Sequence, residues 1–216
     1  MFETLVTEFS NGKRISNRQY DYAKLLNLEY CEFKKAWSSR QRKRMTGELR
    51  NFAEVIKDIL GELNMPVNYE AIEYLYQERI KEKSIPFKTI RSDIIRLLQF
   101  LQERNIRIGL ISNCSEEEVR FWNDSKLAHL FDSVIFSYDV GFAKPEKEIY
   151  LMGCEELVVE PSDSIFIGDG GSNEVDGAVN AGMISYHATW FNSTIDSSYK
   201  KFDSPRALVD HLKKII

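Results

Sequence analysis

The chain reads as an α/β protein built on a doubly wound parallel sheet, with a helical domain set ahead of that sheet. From about residue 15 to 85, apolar side chains recur at helical spacing with no strand pattern between them. After Pro86, short β-branched runs alternate with helical stretches, which is the signature of βαβ units. Length sets the third bound, since 216 residues hold one large domain or a core with a smaller insertion.

The helical block opens with "SNRQYDYAKLLNL", where Ser16 and Asn17 are candidate caps ahead of Tyr20, Tyr22, Leu25 and Leu26. "FKKAWSSRQRKRM" continues it. "LRNFAEVIKDILGELNM" then spaces Leu49, Phe52, Val55, Ile56, Ile59 and Leu60 along one helix face before Gly61 and Pro66. "NYEAIEYLYQERIKEK" repeats the pattern behind an Asn68 cap. "IRSDIIRLLQFLQERN" is a helix and "IRIGLIS" a strand; "SEEEVRFW" is a helix capped by Ser115, and "SVIFSY" a strand. "PEKEIYLMGCEELVV" is a helix with Pro145 at its start, where a missing N–H costs little. "SIFIG" is a strand, "SNEVDGAVNAG" a helix, "MISYHAT" a strand and "SPRALVDHLKKI" a closing helix. The expected divisions are a lead-in segment at 1–14, a helical domain at 15–85 and an α/β core at 86–216.

Composition narrows the function classes. Hydrophobic residues make up 43% and charged residues 29%, an ordinary globular balance. A net charge of −4 gives no pull toward nucleic acid or acidic membranes, and no apolar run approaches the roughly 20 residues of a membrane span. Glu3 and Glu8 with no apolar run between them argue against a secretory leader. Cys31, Cys114 and Cys154 are odd in number and widely spaced, which fits a reducing cytoplasm and no Cys-pair metal motif. The basic run "RQRKR", Arg40 to Arg44, has no aromatic interleaving and reads first as a solvated helix face, second as a contact for an anionic substrate. His129, His187 and His211 show no metal-ligand spacing, and Trp37, Trp122 and Trp190 read as core or interface aromatics.

In an open parallel sheet, ligands collect beyond the carboxyl ends of the strands. Ser112 and Asn113 end one strand, Lys144 lies in the loop "GFAKPE" after the next, and Asp169 ends a third with Glu174 five positions on. Each has an everyday role of its own: helix cap, solvated lysine, turn aspartate, first-turn glutamate. Gathered at one rim, they bind a phosphoryl group and a Mg²⁺ ion, the carboxylates giving hard oxygen donors and the ammonium and hydroxyl offsetting phosphoryl charge.

"GLISNCS", "GFAKPEKEIY" and "FIGDGGSNEVDGAVNAGM" resemble the second, third and fourth motifs of the haloacid dehalogenase (HAD) superfamily, in order, from about Ile90 to Met183. The resemblance implies a Rossmann-like core with an inserted helical cap domain. It implies further that Ser112 and Asn113 bind substrate, that Lys144 stabilises charge on nucleophile and phosphate, and that Asp169, with Glu174, holds Mg²⁺. An aspartate at 169, where metal-independent dehalogenating members carry serine, favours phosphate-ester hydrolysis. The implied substrate is a small phosphorylated molecule, with no nucleic acid or membrane partner, in a monomer or homodimer.

Family members place an aspartate nucleophile in a D-x-D-x-[TV] motif at the end of a central first strand. Here the first aspartate is Asp21, inside the helical block, and "MFETLVTEFSNG" resembles the segment just after that motif. The expectation is therefore a nucleophile lying ahead of Met1, from a shortened chain or a start placed too late, and a chain inactive as written. Without the central strand the sheet is expected to rearrange: strands 106–112 and 164–168 pair directly, "FETLVTEF" fills the gap, or a partner chain does. Two functions stay open, an aspartyl-phosphate hydrolase and a non-catalytic protein of the same fold that binds a phosphorylated ligand or a partner. A phospho-receiver domain is excluded, because its phosphorylated aspartate precedes the hydroxyl residue and lysine, whereas here the order is Ser112, Lys144, Asp169.

Overall fold

A computed structural model describes residues 1–10, 12–16, 18 and 20–216. The first elements are a two-residue antiparallel pair, β1 (Phe9–Ser10) and β2 (Lys13–Arg14). Five helices come next: α1 (Tyr22–Leu25), α2 (Tyr30–Ser39), α3 (Gln41–Met45), α4 (Phe52–Glu62) and α5 (Tyr69–Lys88). Helix α1 starts later than expected. Asp21 caps it by accepting from the Lys24 N–H at 3.2 Å, while Ser16 turns away to donate to Glu82 at 2.9 Å. The other expected cap, Asn17, lies outside the described residues. Asn51 and Asn68 cap α4 and α5, each accepting from the third helical N–H at 3.0 Å.

The helical layer has a core of its own. Tyr22, Phe33, Ala36, Phe52, Val55, Ile56, Ile59, Leu60, Ile72 and Leu75 form one buried cluster, as the helical spacing in α4 requires. Helix α5 runs through the expected boundary at 85 and takes Pro86 into its last turn. The "RQRKR" run is a solvated face at Gln41, Arg42 and Lys43 but not at its two ends. Arg40 is buried and donates to Asp58 at 2.5 Å and Glu62 at 2.6 Å, and Arg44 is buried over the Trp37 ring.

The second half holds α6 (Ser92–Gln102), β3 (Gly109–Ser112), β4 (Ser133–Phe136), α7 (Ser137–Val140), α8 (Lys147–Leu157), β5 (Ile165–Gly168), α9 (Glu174–Asn180), β6 (Ile184–Ala188), β7 (Lys201–Phe202) and α10 (Pro205–Leu212). "SEEEVRFW" gives one 3₁₀ turn, Glu116–Glu118, rather than a helix. Ser115 and Glu118 close that turn as a capping box, and the chain then carries Val119 and Trp122 into the core, so burial overrides local helical preference.

All ladders in this half are parallel. β3 pairs with β4 from Gly109↔Ser133 to Ser112↔Phe136, and β5 pairs with β6 from Ile165↔Ile184 to Gly168↔His187, with β7 beyond. Among the described residues no ladder joins β3 to β5. Of the three alternatives expected, direct pairing of these strands does not form, while "FETLVTEF" packs Leu5 and Val6 into the core beside Leu110 of β3 without joining either ladder. Residues 1–6 curl into a turn in which the Met1 carbonyl accepts from the N–H groups of Thr4, Leu5 and Val6. The two half-sheets are held together by side chains instead. Ile111 and Ile135 from one, and Phe166 from the other, pack with Ile149, Tyr150 and Ala178 of α8 and α9. On the opposite side, Met1, Leu5 and Val6 are buried with Ile94, Leu98, Ile108, Leu110 and Trp122.

Candidate active site

The carboxyl ends of β3 and β5 open on one cavity of about 110 Å³, lined by Met1, Phe2, Ser112, Asn113, Lys144, Asp169, Gly171, Ser172 and Glu174. Ser112, Lys144, Asp169 and Glu174, drawn from three loops far apart in the chain, therefore share one wall. Asn113 lines the cavity as well, but its amide is engaged elsewhere. Its Oδ1 accepts from the Lys144 N–H, and its Nδ2 donates to the Lys144 carbonyl, both at 2.8 Å. Asn113 thus clamps the backbone that carries the lysine.

The Lys144 ammonium is buried, ion-paired with the Glu174 carboxylate and 3.3 Å from the Ile111 carbonyl oxygen. Burial opposes ionisation of Glu174, and Lys144 outweighs it, holding that carboxyl below the usual range. Asp169 goes the other way. Burial, and then the Glu174 carboxylate beside it, raise its carboxyl above the usual range. Its Oδ1 accepts weakly from the Gly171 N–H at 3.4 Å.

Local backbone explains how an acid reaches this rim from each side of one turn. Gly170 has φ +86, a left-handed conformation, and a Cβ there would stand 2.9 Å from Ile195 and 3.2 Å from His187 Nε2. The turn lets Glu174, the first residue of α9, fold back so that its Oε1 accepts from the Gly170 N–H at 3.3 Å.

Two residues of this framework escaped the sequence reading. His187, fully buried in β6, bridges Ser197 Oγ at 2.7 Å and the Asp169 carbonyl at 2.9 Å. Tyr150 donates from its hydroxyl to the Glu174 carbonyl at 2.7 Å. The signal for His187 lay in strand register, since it stands opposite Gly168, next to Asp169. Metal-ligand spacing bears no relation to that role.

A larger hollow of about 420 Å³ lies over α2–α4, but its Arg40 is already paired with Asp58 and Glu62. Among the described residues no three His, Cys, Asp or Glu side chains converge as a metal-binding group, and no helix is long and apolar enough to cross a membrane.

Known proteins place this architecture. A solved 2-haloacid dehalogenase from Pseudomonas syringae pv. Tomato DC3000 superposes with a TM-score of 0.67 at 19% identity, covering 91% of this chain and 86% of that one. A HAD family enzyme from Bacteroides thetaiotaomicron, solved in complex with magnesium and inorganic phosphate, superposes at 0.56 with 20% identity over 84% of this chain and 90% of its own. Both likenesses speak to fold alone. In sequence, the glyceraldehyde 3-phosphate phosphatase of Methanopyrus kandleri is 26% identical over 133 residues, 57% of this chain and 56% of the relative. The pyrophosphatase PpaX of Oceanobacillus iheyensis is 29% identical over 131 residues, 60% of each chain. The aligned stretch thus spans little more than half the length of these relatives. The family model for haloacid dehalogenase-like hydrolases matches residues 2–182, and the chain belongs to that family.

Proposed function

We propose that this chain carries the substrate- and metal-binding groups of a Mg²⁺-dependent phosphatase for small phosphorylated metabolites, working through an aspartyl-phosphate in the cytoplasm. The observation that carries the reading is the single cavity shared by Ser112, Lys144, Asp169 and Glu174. Relatives named as a phosphatase and a pyrophosphatase, both for phosphate compounds, support it. Residues 15–85 are the cap that closes over the leaving group in this reading. Their separate apolar core supports that division.

The donor set fits the metal. Asp169 and Glu174 are hard oxygen donors lining one cavity, and the Asp169 carboxyl is raised first by burial and then by the neighbouring Glu174 carboxylate, a repulsion that a dication relieves. Mg²⁺ needs only one or two carboxylates and keeps several of its waters, which agrees with a site of so few acids. Asp169 would hold it, with Glu174 in its outer shell, and the ion would offset charge on the phosphoryl oxygens. The chain's own groups do the rest. The Ser112 hydroxyl donates to a phosphoryl oxygen, and the Lys144 ammonium lies against the same group. Asn113 keeps that lysine in register, and Tyr150 and His187 hold the loops bearing Glu174 and Asp169.

Aspartyl-phosphate chemistry also needs a carboxylate to attack phosphorus. Among the described residues the acids of the cavity are Asp169 and Glu174, both assigned to metal and lysine. We therefore expect the chain by itself to bind phosphate without turning it over. Loss of a covalent nucleophile costs on the order of 10⁶ in rate. That same observation favours the second reading, a non-catalytic phosphoryl-binding protein.

The test is p-nitrophenyl phosphate hydrolysis with Mg²⁺. The 216-residue chain is expected to show none, while a version given an engineered N-terminal extension bearing an Asp-x-Asp segment gains turnover. Turnover by the chain itself would refute the nucleophile assignment. Silence of both forms, with phosphate binding retained, would leave the binding-protein reading standing.

A further inference from the structure

A continuous series of hydrogen bonds runs from the segment between β6 and β7, residues 189–200, to the ammonium of Lys144. Ser197 Oγ lies 2.7 Å from His187 Nδ1, and His187 Nε2 lies 2.9 Å from the Asp169 carbonyl oxygen. The N–H of that same peptide unit belongs to Gly170 and donates to Glu174 Oε1 at 3.3 Å. Glu174 Oε2 is in turn paired with Lys144. The Asp169–Gly170 peptide is thus gripped on both edges, by a ring on its carbonyl and by a carboxylate on its N–H.

The chemistry of the carbonyl sets the direction of the series. A carbonyl oxygen only accepts, so His187 Nε2 must carry a proton. In a neutral ring Nδ1 is then an acceptor, and the Ser197 hydroxyl is its donor. His187 is fully buried, and the turn beside it leaves no slack, since a Cβ at Gly170 would stand 3.2 Å from Nε2. The segment bearing Ser197 is itself tied down. Its Lys200 carbonyl accepts from the His187 N–H at 2.9 Å, and Tyr199 donates to Asp176 of α9 at 2.7 Å. Ser197 is not part of the cavity wall, so any effect it has there passes through the ring.

We infer that Ser197 and His187 are positioning residues of the site. Ser197 aims the ring, the ring fixes the Asp169–Gly170 peptide, and that peptide aims the Asp169 carboxylate and holds Glu174 against Lys144. The inference deepens the reading of the cavity as a metal and phosphoryl site and rests on it. It makes Mg²⁺ affinity depend on a hydroxyl that lies outside the cavity wall.

Four variants of the 216-residue chain separate the links, each titrated with Mg²⁺ by calorimetry. Ser197→Ala removes the donor to Nδ1, and Ser197→Thr restores one. His187→Gln keeps an amide N–H near the Nε2 position, and His187→Asn keeps only an acceptor near Nδ1. Ser197→Ala is expected to weaken Mg²⁺ binding about 10-fold, the low end of what outer partners of metal donors contribute. Ser197→Thr is expected to recover it, and His187→Asn to lose more than His187→Gln. A merely structural role would lower stability and leave the affinity of the folded fraction alone. Unchanged affinity in Ser197→Ala overturns the inference, and so does the reverse order of the two histidine variants.

Two further readouts need no ligand. NMR of the ring nitrogens is expected to find His187 as the Nε2–H tautomer, and an Nδ1–H ring refutes the series. Hydrogen exchange at the Gly170 N–H is expected to quicken about 2–10-fold in Ser197→Ala, the range for one lost hydrogen bond, with α10 unchanged. Equal exchange in both chains refutes it too. If the wild-type chain takes up neither Mg²⁺ nor methylphosphonate, the site reading fails by itself. The ring and the Gly170 amide then still decide whether Ser197 and His187 fix this peptide.

Discussion

Lys144 is the residue on which the cavity turns, and it is held at three points. Its ammonium is paired with Glu174, and its N–H and C=O are both taken by Asn113. The clamp is directional, because Asn113 must offer an acceptor to the N–H and a donor to the carbonyl. Asn113→Asp keeps the acceptor and turns the donor into a second carboxylate oxygen facing the Lys144 carbonyl. It is expected to cost about 1–3 kcal/mol in urea unfolding, more than one lost bond, because a buried group is left opposed as well as unpaired. Methylphosphonate affinity should fall with it, since the lysine loses its register. A variant of wild-type stability and affinity would mean that Lys144 is positioned by the Glu174 pair alone. None of this was legible from sequence, where Asn113 and Lys144 are separated by 31 residues and only their positions after strands could be read.

At the scale of elements, what could be read divides by where the information lies. Helices α4, α5 and α10 announce themselves, because side-chain caps at Asn51, Asn68 and Ser204 and apolar spacing are local properties. Ser112, Asp169 and Glu174 were legible for the same reason, standing where a strand pattern stops or a helix starts. The β1–β2 pair and β7 are two-residue ladders defined by their partners, and no local pattern foretells them. Residues 115–122 read as a helix because the ion pairs of Glu117 and Glu118 with Arg79, 38 and 39 residues away, are invisible in one dimension. Helix α9 shows how tertiary contact reverses a local rule. Gly177 lies in its interior, where alanine would ordinarily stabilise by about 1 kcal/mol. Here a Cβ would meet the Tyr150 hydroxyl at 2.6 Å and the backbone Cα of Pro145 at 2.9 Å. Gly177→Ala is therefore expected to destabilise by about 1–3 kcal/mol in urea unfolding, as overpacking does. A gain in stability would show that α9 can move away from the Lys144 loop at no cost.

For the whole molecule, the helical layer and the α/β half keep separate apolar clusters, and charged groups fill the seam between them. Helix α5 supplies Arg79 and Lys83 to that seam. Glu117 and Glu118 face the two cations from the other half, and Arg18, Tyr20 and Ser16 converge on Glu82. The association of the two layers thereby acquires a pH dependence. Burial alone would raise the Glu118 carboxyl, but Lys83 and Arg79 outweigh it and hold it at about 2 against an ordinary 4.5. Within the helical layer itself, burial is likewise outweighed at Glu82 by Arg18, Tyr20 and Ser16, and its carboxyl also sits at about 2. A folded value below the unfolded one means that unfolding takes up protons between the two. The contribution is complete above pH 4.5 and is lost as pH falls toward 2. For Glu118 it is on the order of 3 kcal/mol, a large part of the roughly 5–15 kcal/mol that keeps a domain folded. Urea midpoints are therefore expected to drop steeply from pH 4.5 to 3. Glu118→Gln should be less stable at pH 7, by about 3–5 kcal/mol, because Lys83 and Arg79 lose a buried partner. Its acid limb should also be shallower, one titrating group having been removed. If the variant keeps the full slope, the seam is not where acid enters, and the two layers are held by their apolar contacts instead.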